Sequence, residues 1–377
     1  MDVLTFFHGR RVLVTGHTGF KGAWLTLWLL ERGAEVIGYS ADVPTTPSLF
    51  ETLGLAADVR HHTGDVRDAE HLAKVVQHER PEVVFHLAAQ PLVRRSQRRP
   101  KETFDVNVGG TVNLLEAIRT APSVRVAVLV TSDKCYANRG WVWGYRENDP
   151  LGGADPYSAS KACAELVAAA YRETFFPPDE AGEHGVGLAT ARAGNVIGGG
   201  DWAEDRLVPD CVRALAAGGP VAIRQPHAVR PWQHVLEPLA GYLALAARLS
   251  ESPRDYAGAW NFGPPAEGCR PVAELVRAVV RAWGGGRWRA AAERRPTCPE
   301  AASLRLASDK ALALLPWRPQ WDFAAAVART VAWYRACADG ADAGRLRELC
   351  RRQISEYEAG WGRSVRGEEL VVERVNV

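Results

Sequence analysis

The stretch Val12-Leu13-Val14-Thr15-Gly16-His17-Thr18-Gly19-Phe20-Lys21-Gly22 decides how this chain is read. A short apolar run ends in glycines spaced G-x-x-G-x-x-G, and a helical pattern carries on through residue 32. A strand, a glycine-rich turn and a helix N-terminus make a seat for a pyrophosphate. The glycines permit the tight turn and close main-chain approach, while helix N–H groups face the anion. The same spacing also serves a plain strand-to-helix turn. Its position on the first strand–helix unit of an alternating chain is what makes it a dinucleotide signal.

The alternation extends outward from there. Apolar runs at residues 12–15, 35–39, 83–88, 124–132 and 187–193 read as strands. Helical patterns lie at 22–32, 67–80, 102–119 and 157–174. Runs of Val, Leu and Ala without strict alternation indicate strands buried on both faces. The fold class is therefore α/β, a Rossmann-type doubly wound parallel sheet with right-handed crossovers. Beyond residue 190 the punctuation thickens, as in Gly198-Gly199-Gly200 and Gly263-Pro264-Pro265, which predicts a smaller, loop-rich C-terminal unit. Thirteen tryptophans read mainly as core and interdomain packing, and residues 344–359 read as a solvated surface helix.

Composition excludes several classes. The 377 residues carry 46 basic and 44 acidic side chains for a net charge of +2, which argues against a protein working mainly by binding polyanions. An apolar fraction of 47% excludes a disordered chain. The apolar run at 23–30 is too short to span a bilayer, and no basic-then-apolar leader is visible, so a cytoplasmic location is expected. Seven cysteines (Cys135, Cys163, Cys211, Cys269, Cys298, Cys337, Cys350) never form C-x-x-C pairs, so neither a disulfide framework nor a metal site is expected.

Around the turn, further residues suit a cofactor. Gly38-Tyr39-Ser40-Ala41-Asp42 ends the second strand, and Asp42 is the carboxylate at hand for the adenosine ribose hydroxyls. No Arg follows closely, which favours NAD over NADP; the competing reading is that Asp42 merely begins the Pro44 loop. Asp65 and Val66 are expected beside the adenine, and Leu87-Ala88-Ala89-Gln90 where the cofactor crosses the sheet edge.

Chemistry is carried by Tyr157-Ser158-Ala159-Ser160-Lys161, whose i,i+4 spacing sets Tyr157 and Lys161 on one helical face. A nearby ammonium favours tyrosinate, so Tyr157 can take a proton from a substrate hydroxyl. Thr131-Ser132-Asp133-Lys134-Cys135-Tyr136 stands at a strand's carboxyl end, where open sheets bind ligands, and Ser132 can bond the same hydroxyl. Asp133 and Lys134 add an acid and a base that simple alcohol oxidation does not require; as residues alone they read equally as a loop ion pair.

Taken with Trp141-Val142-Trp143-Gly144-Tyr145-Arg146-Glu147-Asn148, Arg192-Ala193-Gly194-Asn195-Val196-Ile197-Gly198-Gly199-Gly200-Asp201-Trp202 and Arg230-Pro231-Trp232-Gln233-His234-Val235, these blocks resemble the CDP-glucose 4,6-dehydratases. These are a branch of the extended short-chain dehydrogenase/reductases. The Asp-Lys pair discriminates, since the related dTDP-glucose dehydratases carry Asp-Glu there. The resemblance implies a lyase that uses NAD as a recycled hydride shuttle on a nucleotide sugar, CDP-glucose. Tyr157 serves as base at C4, Lys134 as base at C5 and Asp133 as acid at C6. It implies Gly16, Thr18, Gly19, Phe20, Lys21, Gly22, Asn107 and Lys161 toward the cofactor. It implies Gln90, Arg192, Asn195, Gly200, Asp201, Trp202, Arg206 and Arg230 toward the substrate. For Arg192 and Arg206 the competing reading is interdomain ion pairing. The implied division is 1–190 plus roughly 228–250 for the NAD-binding unit, with 191–227 and 251–377 binding the nucleotide sugar. A homodimer through 102–119 and 157–174 is also implied.

Three other readings compete. One is another nucleotide-hexose dehydratase (GDP-mannose or dTDP-glucose) or a 4-epimerase on the same scaffold. A second is a catalytically silent NAD-binding regulator, which the intact Ser132, Tyr157 and Lys161 oppose. The third is nucleic-acid binding through Arg94, Arg95, Arg98 and Arg99, which the near-neutral charge opposes.

Overall fold

The computed structural model describes residues 2–290 and 303–366; Cys298 lies outside them. Seven strands form the central sheet: β1 (Arg11–Thr15), β2 (Glu35–Ser40), β3 (Arg60–Thr63), β4 (Val83–His86), β5 (Val126–Val130), β6 (Gly187–Ala193) and β7 (Gly258–Phe262). They run parallel throughout in the order β7-β6-β5-β4-β1-β2-β3. The chain leaves β1 toward β2 and β3, then returns to β1's other side with β4. That reversal opens a crevice at the strands' carboxyl ends.

The helices are α1 (Phe20–Glu31), α2 (Ala69–Glu79), α3 (Gly110–Arg119), α4 (Pro156–Thr174), α5 (Leu236–Glu251), α6 (Val272–Trp283), α7 (Phe323–Ala338) and α8 (Ala343–Arg366). Successive β1 residues point to opposite faces. Val12 and Val14 join a core with Trp24 and Trp28 of α1 and Leu243 of α5. Leu13 joins a second core with Leu72 of α2 and Leu115 of α3. Both faces are thus covered, which is why β5 (Val-Ala-Val-Leu-Val) is apolar without alternation. No helix among the described residues is long and apolar enough to cross a membrane.

Several expectations are corrected. β3 was not foreseen, because Arg-His-His-Thr at the sheet's edge is mostly exposed and carries no apolar signal. The helix expected over 102–119 is a short helix at Pro100–Phe104, a π-turn over Asp105–Gly109 and then α3. β7 pairs with β6 and completes the main sheet, so residues assigned to the C-terminal unit belong to the first layer. The tail is not a merely solvated helix. Leu346, Cys350, Ile354, Tyr357 and Trp361 line one buried face of α8. Tyr357 and Trp361 meet Trp28 edge-on, with centroids 5.7 and 6.2 Å away. The remaining strands make two-residue or three-residue pairs, among them Val196–Ile197 with Gln233–His234 and Val229–Pro231 with Cys269–Pro271. These set the loops after β6 over the crevice.

Candidate active site

The glycine turn joins β1 to α1 against β4. Gly16 has φ +76°, and a Cβ on it would lie 2.7 Å from the Ala88 nitrogen. A Cβ on Gly22 would lie 2.1 Å from the Gly16 carbonyl oxygen. Only glycine fits either place. α1 begins at Phe20, after Gly19 as its N-cap, with no side-chain cap bond and no acidic residue in its first turn, so its leading N–H groups suit an anion. Beneath the turn, the Thr18 hydroxyl donates to the Asp42 carbonyl at 2.7 Å, which ties the turn to the end of β2. Asp42 itself is exposed at that end. Asp65 accepts a fork from Arg67, which holds its carboxyl below the usual range. These main-chain cradles and their carboxylate fit a dinucleotide.

Leu87 and Ala88 continue from β4 and bond back to Thr15, with their N–H groups 3.0 and 3.2 Å from its oxygens. Gln90 departs from its expected role toward ligands. Its amide donates to Thr103 Oγ1 and to the Leu92 carbonyl, and its oxygen accepts from the Leu92 N–H at 2.7 Å. Asn107, in the π-turn, is likewise turned inward. It accepts from the Gln90 N–H at 2.8 Å and donates to Ser160 at 2.8 Å. Both are buried and brace the loop rather than presenting their amides to the crevice.

The end of β5 carries Ser132 in extended conformation, then a single 3-10 turn over Asp133–Cys135. The Ser132 hydroxyl donates to Asp133 at 3.0 Å and accepts from the Lys134 N–H at 3.2 Å. Asp133 is 4% exposed, and its second oxygen is buried without a hydrogen-bond partner. Burial pushes its carboxyl above the usual range, against the pull of Lys134, Ser132, Arg230 and Lys21. Lys134 is half-buried beside it.

α4 starts at Pro156, capped by Asp155, which accepts from the Ser158 N–H at 3.0 Å. Tyr157 and Lys161 share its inward face. Burial drives Tyr157 up to about 12, opposed by its hydrogen bond to Ser132. Burial draws Lys161 down to about 8, opposed by Glu165 and Cys135, and its ammonium donates to the Val130 carbonyl at 3.2 Å. Two further groups reach the site. Lys21, expected toward the cofactor, sends its ammonium to the Tyr242 hydroxyl at 3.4 Å. Burial, with Arg206 and Lys161 nearby, lowers it to about 7. Tyr242, from α5, faces Tyr157 and Asp133. Nothing local in the sequence marks it.

Across the crevice, Asp201 accepts from Arg206 at 3.0 Å, and its carbonyl accepts from Tyr334. Trp202 meets Tyr334 edge-on. Gly200 has φ +80°, and a Cβ on it would strike Leu49. The Asn195 carbonyl accepts from the Gln233 N–H, and Arg230 faces Asp133. Arg192 is corrected. It is 3% exposed and paired to Glu165 at 2.8 Å, so its guanidinium is not offered to a phosphate. The arginine cluster is also partnered: Arg94 with Asp205, and Arg95 and Arg99 with Glu102.

A doubly wound sheet that gathers Ser132, Asp133, Lys134, Tyr157 and Lys161 beside a dinucleotide cradle defines a nucleotide-sugar dehydratase of the short-chain dehydrogenase/reductase type, a hydro-lyase. The GDP-mannose 4,6 dehydratase family profile matches residues 13–256, and the chain belongs to that family. It is 50% identical to the CDP-glucose 4,6-dehydratase of Salmonella typhimurium over 93% of this chain and 97% of that protein. It is 27% identical to a dTDP-glucose 4,6-dehydratase of Xanthomonas campestris over 85% and 92% of the two chains. The solved dTDP-glucose 4,6-dehydratase of Streptomyces venezuelae, with NAD and TYD bound, superposes with a TM-score of 0.73 at 28% identity, covering 86% of this chain and 97% of that one.

Proposed function

We propose that this protein is a CDP-glucose 4,6-dehydratase that converts CDP-glucose to CDP-4-keto-6-deoxyglucose and water. The observation that carries it is Asp133 with Lys134 at the end of β5, in the same site as Tyr157. Asp133 is a buried carboxyl pushed toward its protonated form, with one oxygen uncommitted. Alcohol oxidation needs no such acid; expulsion of a hydroxyl does. The likeness to the Salmonella protein supports the cytidine nucleotide.

NAD supplies a hydride acceptor that ends each cycle unchanged. The turn from Gly16 to Gly22, Asp42, Asp65, Val66 and Leu87 to Ala89 would hold it. Tyr157 takes the C4 hydroxyl proton, with Ser132 bonding that oxygen and the Lys161 ammonium favouring tyrosinate. The ketone acidifies the C5 proton, which Lys134 removes. Asp133 protonates the C6 hydroxyl so that it departs as water. Lys134 gives the proton back to C5, and the hydride taken from C4 returns from the bound cofactor to C6, so the sugar loses one water with no net redox change. Arg206 and Arg230, both at the crevice, pair with the diphosphate. The loops after β6 form the nucleotide-sugar side of the crevice.

The protein acts in the cytoplasm as a homodimer. Leu166 of α4 and Phe175 just after its end, 58% and 42% exposed, support an apolar face there. A monomeric mass at micromolar concentration would remove the dimer. The central test incubates the enzyme separately with CDP-glucose, dTDP-glucose and GDP-mannose and reads the alkaline absorbance of a 4-keto-6-deoxy sugar. CDP-glucose alone should respond. In D₂O, Lys134→Ala should form NADH on the enzyme and stall without deuterium at C5. Normal deuterium entry would assign the base elsewhere.

A further inference from the structure

The reaction as proposed leaves one buried charged cluster unused. Glu165, 4% exposed, lies one helical turn beyond Lys161 on α4. Its carboxylate accepts from three donors: the Thr131 hydroxyl, the Thr190 hydroxyl at 2.7 Å and Arg192 Nη2 at 2.8 Å. The other arm of Arg192 donates to the Tyr136 hydroxyl at 2.7 Å and the Glu147 carbonyl at 2.9 Å. A fully buried ion pair is a poor stabiliser, because desolvation offsets most of the attraction and apolar residues of equal volume do as well. Its placement is more informative than its energy. Thr131 directly precedes Ser132, and Tyr136 closes the turn that carries Asp133 and Lys134. The pair therefore grips both ends of the six residues that present the reacting groups. The main chain of that segment makes the Cys135 N–H to Ser132 carbonyl bond at 3.2 Å. It is tied to its surroundings by the Thr131 N–H to the Ala191 carbonyl at 2.9 Å and by the Gly152 N–H to the Cys135 carbonyl at 2.8 Å. The ion pair adds the side-chain grip at both ends.

We propose that the Glu165–Arg192 pair is the positioning device of the active site, which clamps Thr131 and Tyr136 so that Ser132, Asp133 and Lys134 face Tyr157. The inference rests on Tyr157 and Lys161 being the proton-transfer pair.

An electrostatic consequence follows from what surrounds Lys161. From α1 it faces the ammonium of Lys21, and from β4 the ring of His86, held neutral by burial with its pKa near 3. From the β5 turn it faces the Cys135 thiol, which burial keeps protonated. Tyr157 lies one turn earlier on its own helix. Glu165 is the carboxylate that raises it. The planar fork of Arg192 matters for the clamp, because a lysine there has one point charge and cannot reach Glu165, Tyr136 and Glu147 together.

The test compares wild type with Glu165→Gln/Arg192→Met, which removes both charges at similar volume, and with Arg192→Lys. Turnover of CDP-glucose by wild type establishes the underlying reaction; its absence refutes that reading and not the clamp. In the double variant, kcat per folded enzyme should fall about 100-fold, the effect of a displacement of about 1 Å. KM should stay within about threefold. The alkaline limb of kcat should move toward acid, because Lys161 loses the carboxylate that raises it. Arg192→Lys should lower kcat while leaving that limb in place, since the charge remains and the fork is gone. A purely structural pair predicts a lower melting temperature with wild-type kcat and pH profile, and that result would overturn the proposal. Should the double variant fail to fold, Thr190→Val, which deletes one donor to Glu165, decides. A severalfold loss of kcat at constant KM supports the clamp, and an unchanged kcat refutes it.

Discussion

Replacing Gly22 by alanine sets two opposed effects against each other at the cofactor cradle. Gly22 is the third residue of α1, and in an open helix the exchange gains about 1 kcal/mol from reduced backbone entropy. Here the new Cβ would stand 2.1 Å from the Gly16 oxygen, 2.7 Å from the His17 Cα and 2.8 Å from the Gly16 carbonyl carbon. All three are main-chain atoms, so no side chain can swing away. Reaching the 3.0 Å below which real Cβ contacts essentially never fall requires helix and turn to part by about 0.9 Å. The turn has no room to retreat, because the open side of Gly16 already abuts the Ala88 nitrogen at the end of β4. Overpacking of this kind costs about 1–3 kcal/mol, which offsets or exceeds the propensity gain. The net loss of up to about 2 kcal/mol should lower the melting temperature by up to a few degrees. The larger consequence is functional. A shift of nearly 1 Å misaims the α1 N–H groups at the pyrophosphate, and one charge-assisted bond is worth about 1.5–3 kcal/mol. NAD affinity should therefore fall about 10- to 100-fold. Calorimetric titration of nucleotide-stripped protein with NAD, alongside a thermal scan, measures both. NAD affinity within threefold of wild type would show that the turn yields freely or that NAD lies elsewhere.

Tyr157→Phe should cut kcat at least about 10³-fold while NAD binding changes little, since the phenol acts only in the chemical step; steady-state rates with NAD titration check this. NAD should support turnover better than NADP because Asp42 repels a 2′-phosphate, and equal rates with the two cofactors would return Asp42 to the loop. Glu237 links α5 to the tail: it accepts from the Tyr357 hydroxyl at 2.7 Å and the Trp321 N–H at 2.8 Å, and burial pushes its carboxyl from 4.5 up to about 7. A carboxyl raised on folding stabilises most below its unfolded pKa and loses that contribution as pH rises through the folded one. Stability should thus decline between about pH 4.5 and 7, and Glu237→Gln should flatten this slope and gain up to about 3 kcal/mol at pH 8. Denaturant melts at several pH values decide it, and parallel slopes in the two proteins would refute the ionisation argument.

Much of the site was legible because its parts are local. The turn from Gly16 to Gly22 needs only its own spacing and a strand before it, and Tyr157 and Lys161 are four residues apart on one helix. Ser132, Asp133 and Lys134 are consecutive at a strand end. β1, β2, β4, β5 and β6 announced themselves because a strand covered on both faces must be apolar. β3 and β7 did not. One is a polar edge, and the other lies in a Gly-Pro-rich region far along the chain.

The amino-acid sequence by itself determined the alternating fold, the glycine turn and the neighbourhood of Ser132, Asp133, Lys134, Tyr157 and Lys161, since each follows from rules about neighbours within a few residues. Tertiary structure decided which distant groups meet. Arg192 reads as a phosphate ligand until Glu165, 27 residues earlier, is seen 2.8 Å from it in the core. Gln90 and Asn107 read as ligand contacts until each is found bonded to the other's loop. Lys21 reads as a residue of the cofactor turn, and only packing shows its ammonium against Tyr242, 221 residues later. The α8 face reads as a solvated helix until Trp28 covers it. A polar side chain has the same covalent chemistry whether it binds a ligand or a neighbour. What separates the two is the partner placed opposite, and that placement comes from packing helices onto a sheet, which no local spacing records.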